Sequence, residues 1–170
     1  PYVSRDELNE AMYGMRKKFT SYKAYSEATM KDMFTPEELA KAHRLSATET
    51  RTVLFLNENH HFVKSVLPTQ AQFSTVSQIT AKDFNGDGQL GLLLLGNRSD
   101  TRLKIGSIDA NYGCLLAGDG KGGFRYVPQT ASGLCIMGDV KSVADMIIDG
   151  KNTILIGICN DALQAYQVSK

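Results

Sequence analysis

Residues 83–91, Asp-Phe-Asn-Gly-Asp-Gly-Gln-Leu-Gly, run directly into a series of leucines, and this junction restricts the possible folds more than any other feature of the chain. Oxygen-bearing side chains stand at alternate positions, at Asp83, Asn85 and Asp87, and Gly88 follows at the sixth place. This spacing is the first half of a calcium loop, in which a tight turn directs successive oxygens at one hard cation.

A helix-loop-helix calcium site is excluded by the residues that follow. Its twelfth residue should be a bidentate Glu, whereas this chain has Leu94 there. The flanks at 76–84 and 90–96 are rich in β-forming residues or continuously apolar, as buried strands are. We therefore expect the loop to join two strands.

The composition is that of an ordinary globular chain. Its 170 residues are 42% hydrophobic and 22% charged, with a formal net charge of +1 at pH 7. We expect a sizeable hydrophobic core. We do not expect an electrostatic field that would attract nucleic acid. No apolar run reaches the roughly 18 residues that a membrane span needs. The chain begins at Pro1 without a methionine, which we interpret as a portion of a longer polypeptide, so the absence of a targeting signal does not indicate location.

The cysteines and histidines carry no recognisable catalytic pattern. Cys114, Cys135 and Cys159 lack metal-ligand spacing and lie in or near apolar stretches, so we expect small core residues. A catalytic cysteine would need a base, and no nucleophile motif surrounds any histidine. We therefore predict no catalytic residues.

Residues 1–49 predict a helical region that packs on the β part of the chain. Residues 4–7 have the form of a capping box and precede apolar residues at helical spacing as far as Phe19. A second helix is predicted over 21–33, and a third begins at Pro36 and ends near residue 43.

Residues 50–170 predict short strands and hairpins that repeat. One hairpin joins 52–56 to 62–67, and another joins 114–117 to 124–127. A repeat of about 60 residues is indicated. The matching positions are Phe62 with Phe124, Pro68 with Pro128, 81–84 with 144–147, 92–95 with 155–158, and Asn97 with Asn160.

Repeats of several short strands predict propeller blades, which are four-stranded antiparallel sheets whose apolar faces are covered by their neighbours. The predicted fold is mainly β with an N-terminal helical region, and the β part is an incomplete propeller fragment. It would contain a half blade at 52–67, one full blade, and a partial blade at 138–168. The strands of the full blade are expected at 77–84, 90–96, 109–117 and 123–128.

Segment 83–88, the aliphatic strand after it and the Gly-rich segment 115–124 together resemble the FG-GAP and VCBS-type repeats of β-propellers, over about residues 50–168. The helical region is similar to an insertion found in a bacterial subset of these proteins. The resemblance implies a calcium-stabilised propeller that serves binding as part of a larger chain. It also implies an extracellular, periplasmic or outer-surface location.

The loop predicts calcium as a cofactor, held by the side chains of Asp83, Asn85 and Asp87 and the carbonyl of Gln89. The family usually has a carboxylate at the ninth loop position, where this chain has Gly91. The second copy, at 147–152, keeps almost none of the oxygens. The alternative is a Gly-rich turn in which Asp and Asn bond their own backbone.

The long polar connection 98–113 is a second candidate site. Loops of this kind project from one rim of a propeller, and its Arg, Asp and Tyr side chains could bind an anionic or glycan ligand. The alternative is a solvated loop. The candidate residues are Arg98, Arg102, Asp109 and Tyr112.

We therefore expect a non-catalytic binding or interaction module of a larger secreted or surface bacterial protein, with a protein or glycan ligand. Two alternatives stay open: part of a propeller enzyme acting on glycans, and a structural scaffold. Two convergent carboxylates in a deep pocket would favour the enzyme. An incomplete propeller leaves apolar faces and sheet edges uncovered, so we also expect the isolated chain to self-associate.

Overall fold

The computed structural model describes residues 2–168 and divides the chain into two compact units, Pro1–Thr48 and Glu49–Lys170. The first unit is helical and the second is built from antiparallel strands, which confirms the mainly β class with an N-terminal helical region. Within residues 2–168, no helix has both the length and the apolar character to cross a membrane. The first unit contains α1 (Arg5–Ala11), α2 (Met15–Lys18), α3 (Tyr22–Glu27), α4 (Met30–Met33) and α5 (Pro36–Lys41).

Reciprocal capping sets the starts of α1, α4 and α5. Ser4 Oγ accepts the Glu7 amide at 3.2 Å, and Glu7 Oε2 accepts the Ser4 amide at 2.8 Å, as the capping-box pattern predicted. A capping box also begins α5. A further box joins Thr29 and Asp32 at the start of α4, which the sequence analysis missed.

The first two predicted helices are each broken in the structure. α1 ends at Ala11 and has Met12 as its C-cap. α2 begins at Met15 and has Gly14 as its N-cap. The helix predicted over 21–33 is interrupted at Ala28 and Thr29, which have extended backbone and separate α3 from α4. The cause is local competition: the Asp32 carboxylate accepts the amide and the hydroxyl of Thr29, at 2.8 and 2.7 Å, so α4 begins there instead of α3 continuing.

A small apolar core holds the first unit together. Met15, Phe19, Tyr25 and Met33 are all buried. The rings of Phe19 and Tyr25 meet edge to face, with centroids 5.6 Å apart. Only some aromatic and methionine positions of the helical pattern therefore contribute to packing, since Tyr22 is 63% exposed.

The second unit contains three antiparallel sheets, and in each of them neighbours in sequence are neighbours in space. Sheet 1 has the order β1-β2, sheet 2 has β3-β4-β5-β6, and sheet 3 has β7-β8-β9. A short α-helix, α6 (Gln129–Ser132), follows sheet 2. The strands are β1 (Val53–Glu58), β2 (His61–Val66), β3 (Val76–Lys82), β4 (Gly91–Gly96), β5 (Cys114–Gly118), β6 (Phe124–Val127), β7 (Val140–Ile148), β8 (Lys151–Ile158) and β9 (Gln164–Gln167).

One predicted strand is shorter than expected. The strand expected at 109–117 begins only at Cys114. Asn111 Oδ1 accepts the Gly113 amide at 2.7 Å, and Gly113 has a φ of 94°, so this stretch turns where a strand would have to be extended.

Sheets 2 and 3 begin with hairpins of the same construction. A β-bulge interrupts β3 between its first two paired residues, and β7 is interrupted at the same place. Aligning these bulges matches 91–96 with 153–158. The pairing of 92–95 with 155–158 predicted from the sequence is therefore wrong by one residue. Such a slip matters because it exchanges the two faces of a strand.

The sheets pack on one another through alternate faces of β4. Leu94 belongs to a core with Leu67 and Ala71, from the connection that follows sheet 1. Leu93 and Leu95 point the other way, into a core shared with sheet 3. The sheet 3 side of that second core consists of Val140, Ile154, Ile156 and Ile158.

The first strands of sheets 2 and 3 lie side by side. Three side-chain hydrogen bonds between the two strands join residues 63 positions apart, so β3 and β7 run in the same direction. The contacts are Ser77 Oγ to the Val140 carbonyl at 2.6 Å, Gln78 Nε2 to the Lys141 carbonyl at 3.1 Å, and Lys82 Nζ to the Asp145 carboxylate at 2.7 Å.

Candidate functional site

The predicted calcium loop closes through its own hydrogen bonds. The two carboxylate oxygens of Asp83 accept the backbone amides of Gly86 and Gly88, at 2.7 and 2.9 Å. Asn85 Oδ1 accepts the Asp87 amide at 3.3 Å. These are Asx-type turns, and the amide of Gly88 in particular lowers the pKa of Asp83.

The remaining oxygens of the loop are engaged in the same way. Asp87 Oδ1 accepts the Gln89 amide at 2.7 Å, and Asp87 Oδ2 accepts Asn85 Nδ2 at 2.8 Å. Each oxygen keeps a further lone pair, but three side chains and one carbonyl fall short of the six to eight oxygens that calcium takes. Within residues 2–168, no group of three or more His, Cys, Asp and Glu is arranged to hold a metal ion. The donors therefore fit calcium only in part, and calcium binding stays a prediction.

Packing explains the glycine at the ninth loop position. Gly91 begins β4, and a Cβ there would lie 2.7 Å from the carbonyl oxygen of Leu116 on β5 and 3.2 Å from Phe84 Cδ2. A carboxylate side chain at this position would meet the backbone of the neighbouring strand. The close approach of β4 and β5 thus requires glycine where the resembled family usually has a carboxylate.

An acidic residue from another turn lies near the loop. Asp119, between β5 and β6, lines a shallow hollow together with Asn85 and Asp87. Asp119 Oδ1 accepts the amides of Lys121 and Gly123, both at 2.8 Å, and these bonds lower the pKa of Asp119, the Lys121 amide most. No local spacing connects Asp119 to the loop, so the sequence did not predict that they lie close together.

The segment 147–152, predicted as a second copy of the loop, contains a tight turn. Asp149 and Gly150 are the only residues between β7 and β8, and both have positive φ, 50° and 73°. This backbone suits a two-residue hairpin turn. Such a turn has no room for a series of oxygen ligands.

The connection between β4 and β5 is fixed at its base by a buried asparagine. Asn97 donates from Nδ2 to the carbonyls of Asn111 and Gly138, at 2.7 and 3.1 Å, and its Oδ1 accepts the Asn111 amide at 2.9 Å. Nearby, Asp139 Oδ2 accepts both the amide and the hydroxyl of Ser99. The base is therefore rigid.

The tip of the same connection exposes apolar side chains. Leu103 is fully exposed and Ile105 is 53% exposed, although neither was predicted as a site residue. The backbone below the tip closes through paired hydrogen bonds between Arg98 and Ile108. Thr101 Oγ1 donates to the Gly106 carbonyl across the tip.

The four residues predicted to bind a ligand are not gathered into one pocket. Arg98 Nε forms an ion pair with Asp100 at 2.8 Å. Arg102, Asp109 and Tyr112 are exposed. None of the four lines the hollow beside Asp119 or the larger cavity between sheets 2 and 3.

The larger cavity lies in a cleft between sheets 2 and 3, and its volume is about 420 Å³. Asp87 and Arg125 contribute charged side chains to a lining that is otherwise mostly apolar. The sequence did not predict this cleft, because the cleft depends on how many strands each sheet contains. Its apolar walls include Leu93, Leu115, Val127, Ile154, Tyr166 and Val168.

The cysteines only partly meet expectation. Cys114 is buried, and burial raises the pKa of its thiol to about 11. Cys135 and Cys159 are exposed, so their prediction as core residues is wrong. Both lie outside strands, Cys159 directly after β8, where an apolar neighbourhood in sequence does not imply burial.

Two surfaces thus stand out as candidate sites: the loop between β4 and β5, and the cleft between sheets 2 and 3. Comparisons with protein-family models, with curated proteins and with solved structures found no match to this chain. Function is therefore inferred from the geometry of these surfaces.

Proposed function

We propose that this chain is a non-catalytic binding or interaction module of a larger secreted or surface protein, in which sheets 1 to 3 are neighbouring blades of an FG-GAP/VCBS-type propeller. The alignment of β3 with β7 supports the arrangement, because the first strands of successive blades run side by side around the axis of a propeller. The use of one face of each sheet to cover the preceding sheet also supports it.

One observation carries the binding role: a loop with a rigid base and an exposed apolar tip. The counterpart connection in sheet 3, between β8 and β9, consists only of residues 159–163. The loop between β4 and β5 spans 97–113, so sheet 2 carries an additional segment that its own fold does not need. Ordered loops on a rigid scaffold often carry binding residues.

The chemistry of the tip favours a ligand with both apolar and polar groups. Leu103 and Ile105 offer exposed aliphatic contact, and Arg102 and Lys104 alternate with them. A sugar ring presents an apolar face and polar hydroxyls, and an acidic glycan adds a negative charge for the two cations. Calcium in the loop at 83–89 would stabilise the folded module without taking part in recognition.

A glycan array of neutral and acidic sugars tests this proposal. The wild-type chain is compared with a tip variant, Leu103→Ser with Ile105→Ser, and with the matched control Leu163→Ser, which changes a leucine that is 64% exposed in the shorter connection. We expect binding by the wild type and the control, and loss of signal in the tip variant. No signal on any sugar, or equal signals from all three proteins, would remove the tip as a glycan site and favour the scaffold alternative.

A further inference from the structure

The two interfaces between sheets are not equally filled. Leu67 and Ala71, which come directly before and shortly after Pro68, are 7% and 3% exposed between sheets 1 and 2. Their counterparts around the next proline are Val127, which is half-buried, and Ala131, which is exposed. Both segments consist of a proline followed by one short helical turn, which is a 3-10 turn at Thr69–Gln72 and an α-helical turn in α6. The difference therefore lies in what packs against them.

At the filled interface, the outermost strand of sheet 2 supplies two aromatic side chains. Phe124 and Tyr126 on β6 pack against the core that contains Leu67 and Ala71. They are alternate residues, so both point to the same side of the sheet. In the ladder, Tyr126 pairs with Leu116 and Phe124 pairs with Gly118 on β5.

Within residues 2–168, sheet 3 has three strands in the same antiparallel order as the first three strands of sheet 2, and it lacks a fourth. Ile154 pairs with Tyr166 as Leu92 pairs with Leu116, which makes Tyr166 the counterpart of Leu116. Two residues further along, Val168 is then the counterpart of Gly118. Within residues 2–168, β9 is the last strand of its sheet and pairs only with β8.

The cavity lies where the counterparts of the two aromatic side chains would be. It is lined by Val127 and Ala131 on one side and by Tyr166 and Val168 on the other. An additional strand beside β9 would form hydrogen bonds with the free edge of β9. Its alternate side chains would point into the cavity. An unpaired sheet edge is also the standard template for an added strand.

We infer that the edge of β9 and the adjoining cleft accept an extended segment of a partner polypeptide, which runs antiparallel to β9. The segment carries large apolar side chains at two alternate positions, opposite Tyr166 and Val168, with a polar residue between them. Backbone hydrogen bonds to β9 give the register, and the two apolar side chains fill the cavity. This inference does not depend on the loop proposed to bind glycans.

The chain contains its own template for a probe. A synthetic peptide with the sequence of residues 122–129, Gly-Gly-Phe-Arg-Tyr-Val-Pro-Gln, has the required pattern. The control peptide has serine in place of Phe124 and Tyr126. Binding of the fluorescently labelled peptides to the full chain is measured by polarisation, and amide shifts in the NMR spectrum locate the site. We expect the control to bind at least about tenfold more weakly and the shifts to centre on β9.

A variant of the protein gives a second, independent measurement. Ala131→Phe fills the cavity from an exposed position in α6 and should weaken binding of the peptide by about tenfold or more, without unfolding the chain. The matched control is Ala162→Phe, at an exposed alanine outside the cleft. Absence of peptide binding, equal binding by the two peptides, or equal binding by the two variants would overturn the inference. A dimer that protects β9 and that the peptide does not dissociate would also overturn it, because a second copy would then occupy the cleft.

Discussion

Ser77 on β3 donates a hydrogen bond of 2.6 Å to the carbonyl of Val140 on β7, 63 positions later in the chain. The carbonyl belongs to a residue that is 1% exposed, and the hydroxyl is its partner from the neighbouring sheet. The bond joins the beginning of β3, the first strand of sheet 2, to the beginning of β7, the first strand of sheet 3.

Ser77→Ala should lower the free energy of unfolding by about 1 kcal/mol, because the carbonyl of the buried Val140 loses a hydrogen bond. Urea denaturation followed by circular dichroism measures the change. Ser107→Ala is the control, since Ser107 is exposed in the loop between β4 and β5 and should change stability little. Equal effects of the two substitutions would show that the bond between the strands contributes nothing specific.

Gly91→Asp should destabilise the chain by roughly 1–3 kcal/mol and should not create a stronger calcium site. The new Cβ would approach the Leu116 carbonyl to 2.7 Å, so β4 and β5 would have to separate. Leu90→Asp is the control, because it adds the same charge one residue earlier at an exposed position. Thermal denaturation with and without calcium distinguishes them. A Gly91→Asp chain that is as stable as wild type and binds calcium more tightly would contradict the packing argument.

The parts of the fold that the sequence predicted correctly depend on local signals. The loop at 83–89 between two strands follows from turn residues next to an uninterrupted run of leucines, and the structure has β3 and β4 there. The cap at Ser4 was likewise readable, because a capping box lies within four residues. Such patterns need no knowledge of the rest of the chain.

The parts that were wrong or missed depend on contacts distant in sequence, or on local caps that interrupt a continuing helical pattern. The predicted pairing of 92–95 with 155–158 is wrong by one residue, because both segments are largely aliphatic. Only the bulge in the strand before each segment sets the register. The two breaks in the helical unit were missed because periodicity continues through them. The cleft was missed because its cavity arises from the different numbers of strands in sheets 2 and 3.

Asp83 should make the folded state sensitive to acid. The amides of Gly88 and Gly86 lower its folded pKa below its unfolded value of about 3.9, so its contribution to stability is present above that value. The contribution is lost as the pH falls through the folded pKa, since the carboxyl then takes up a proton. Denaturation between pH 2 and 6 in wild type and in Asp83→Asn measures this. We expect a steeper loss in the wild type, and parallel curves would contradict the assignment.

Calcium should raise the melting temperature of the chain, with a dissociation constant on the order of 0.1 to 1 mM, because the loop supplies few oxygens. Asp87→Ala should abolish the increase while the strands remain folded. Magnesium at the same concentration is the control, since it demands a stricter octahedral geometry. Calorimetry that shows no heat with millimolar calcium would leave the loop as a self-bonded Asx turn, the arrangement that its hydrogen bonds already satisfy.

Self-association should involve the uncovered face of sheet 1. Phe62 pairs with Asn57, so it shares a face with Phe55, and the two rings are 74% and 57% exposed. The corresponding face of sheet 2 is covered by the segment containing Leu67 and Ala71. A net charge of +1 provides little repulsion between copies.

The test is a double substitution, Phe55→Ser with Phe62→Ser, compared with Tyr13→Ser, which removes an aromatic ring that is 73% exposed in the helical unit. Sedimentation at increasing protein concentration should show association of the wild type and of the Tyr13→Ser chain, and a clear shift toward monomer in the double variant. Both phenylalanines are exposed, so their replacement should leave the fold intact, which circular dichroism checks. A wild-type chain that stays monomeric at every concentration would contradict the prediction, because two exposed aromatic rings on an unpaired two-stranded sheet would then be tolerated in water without a partner.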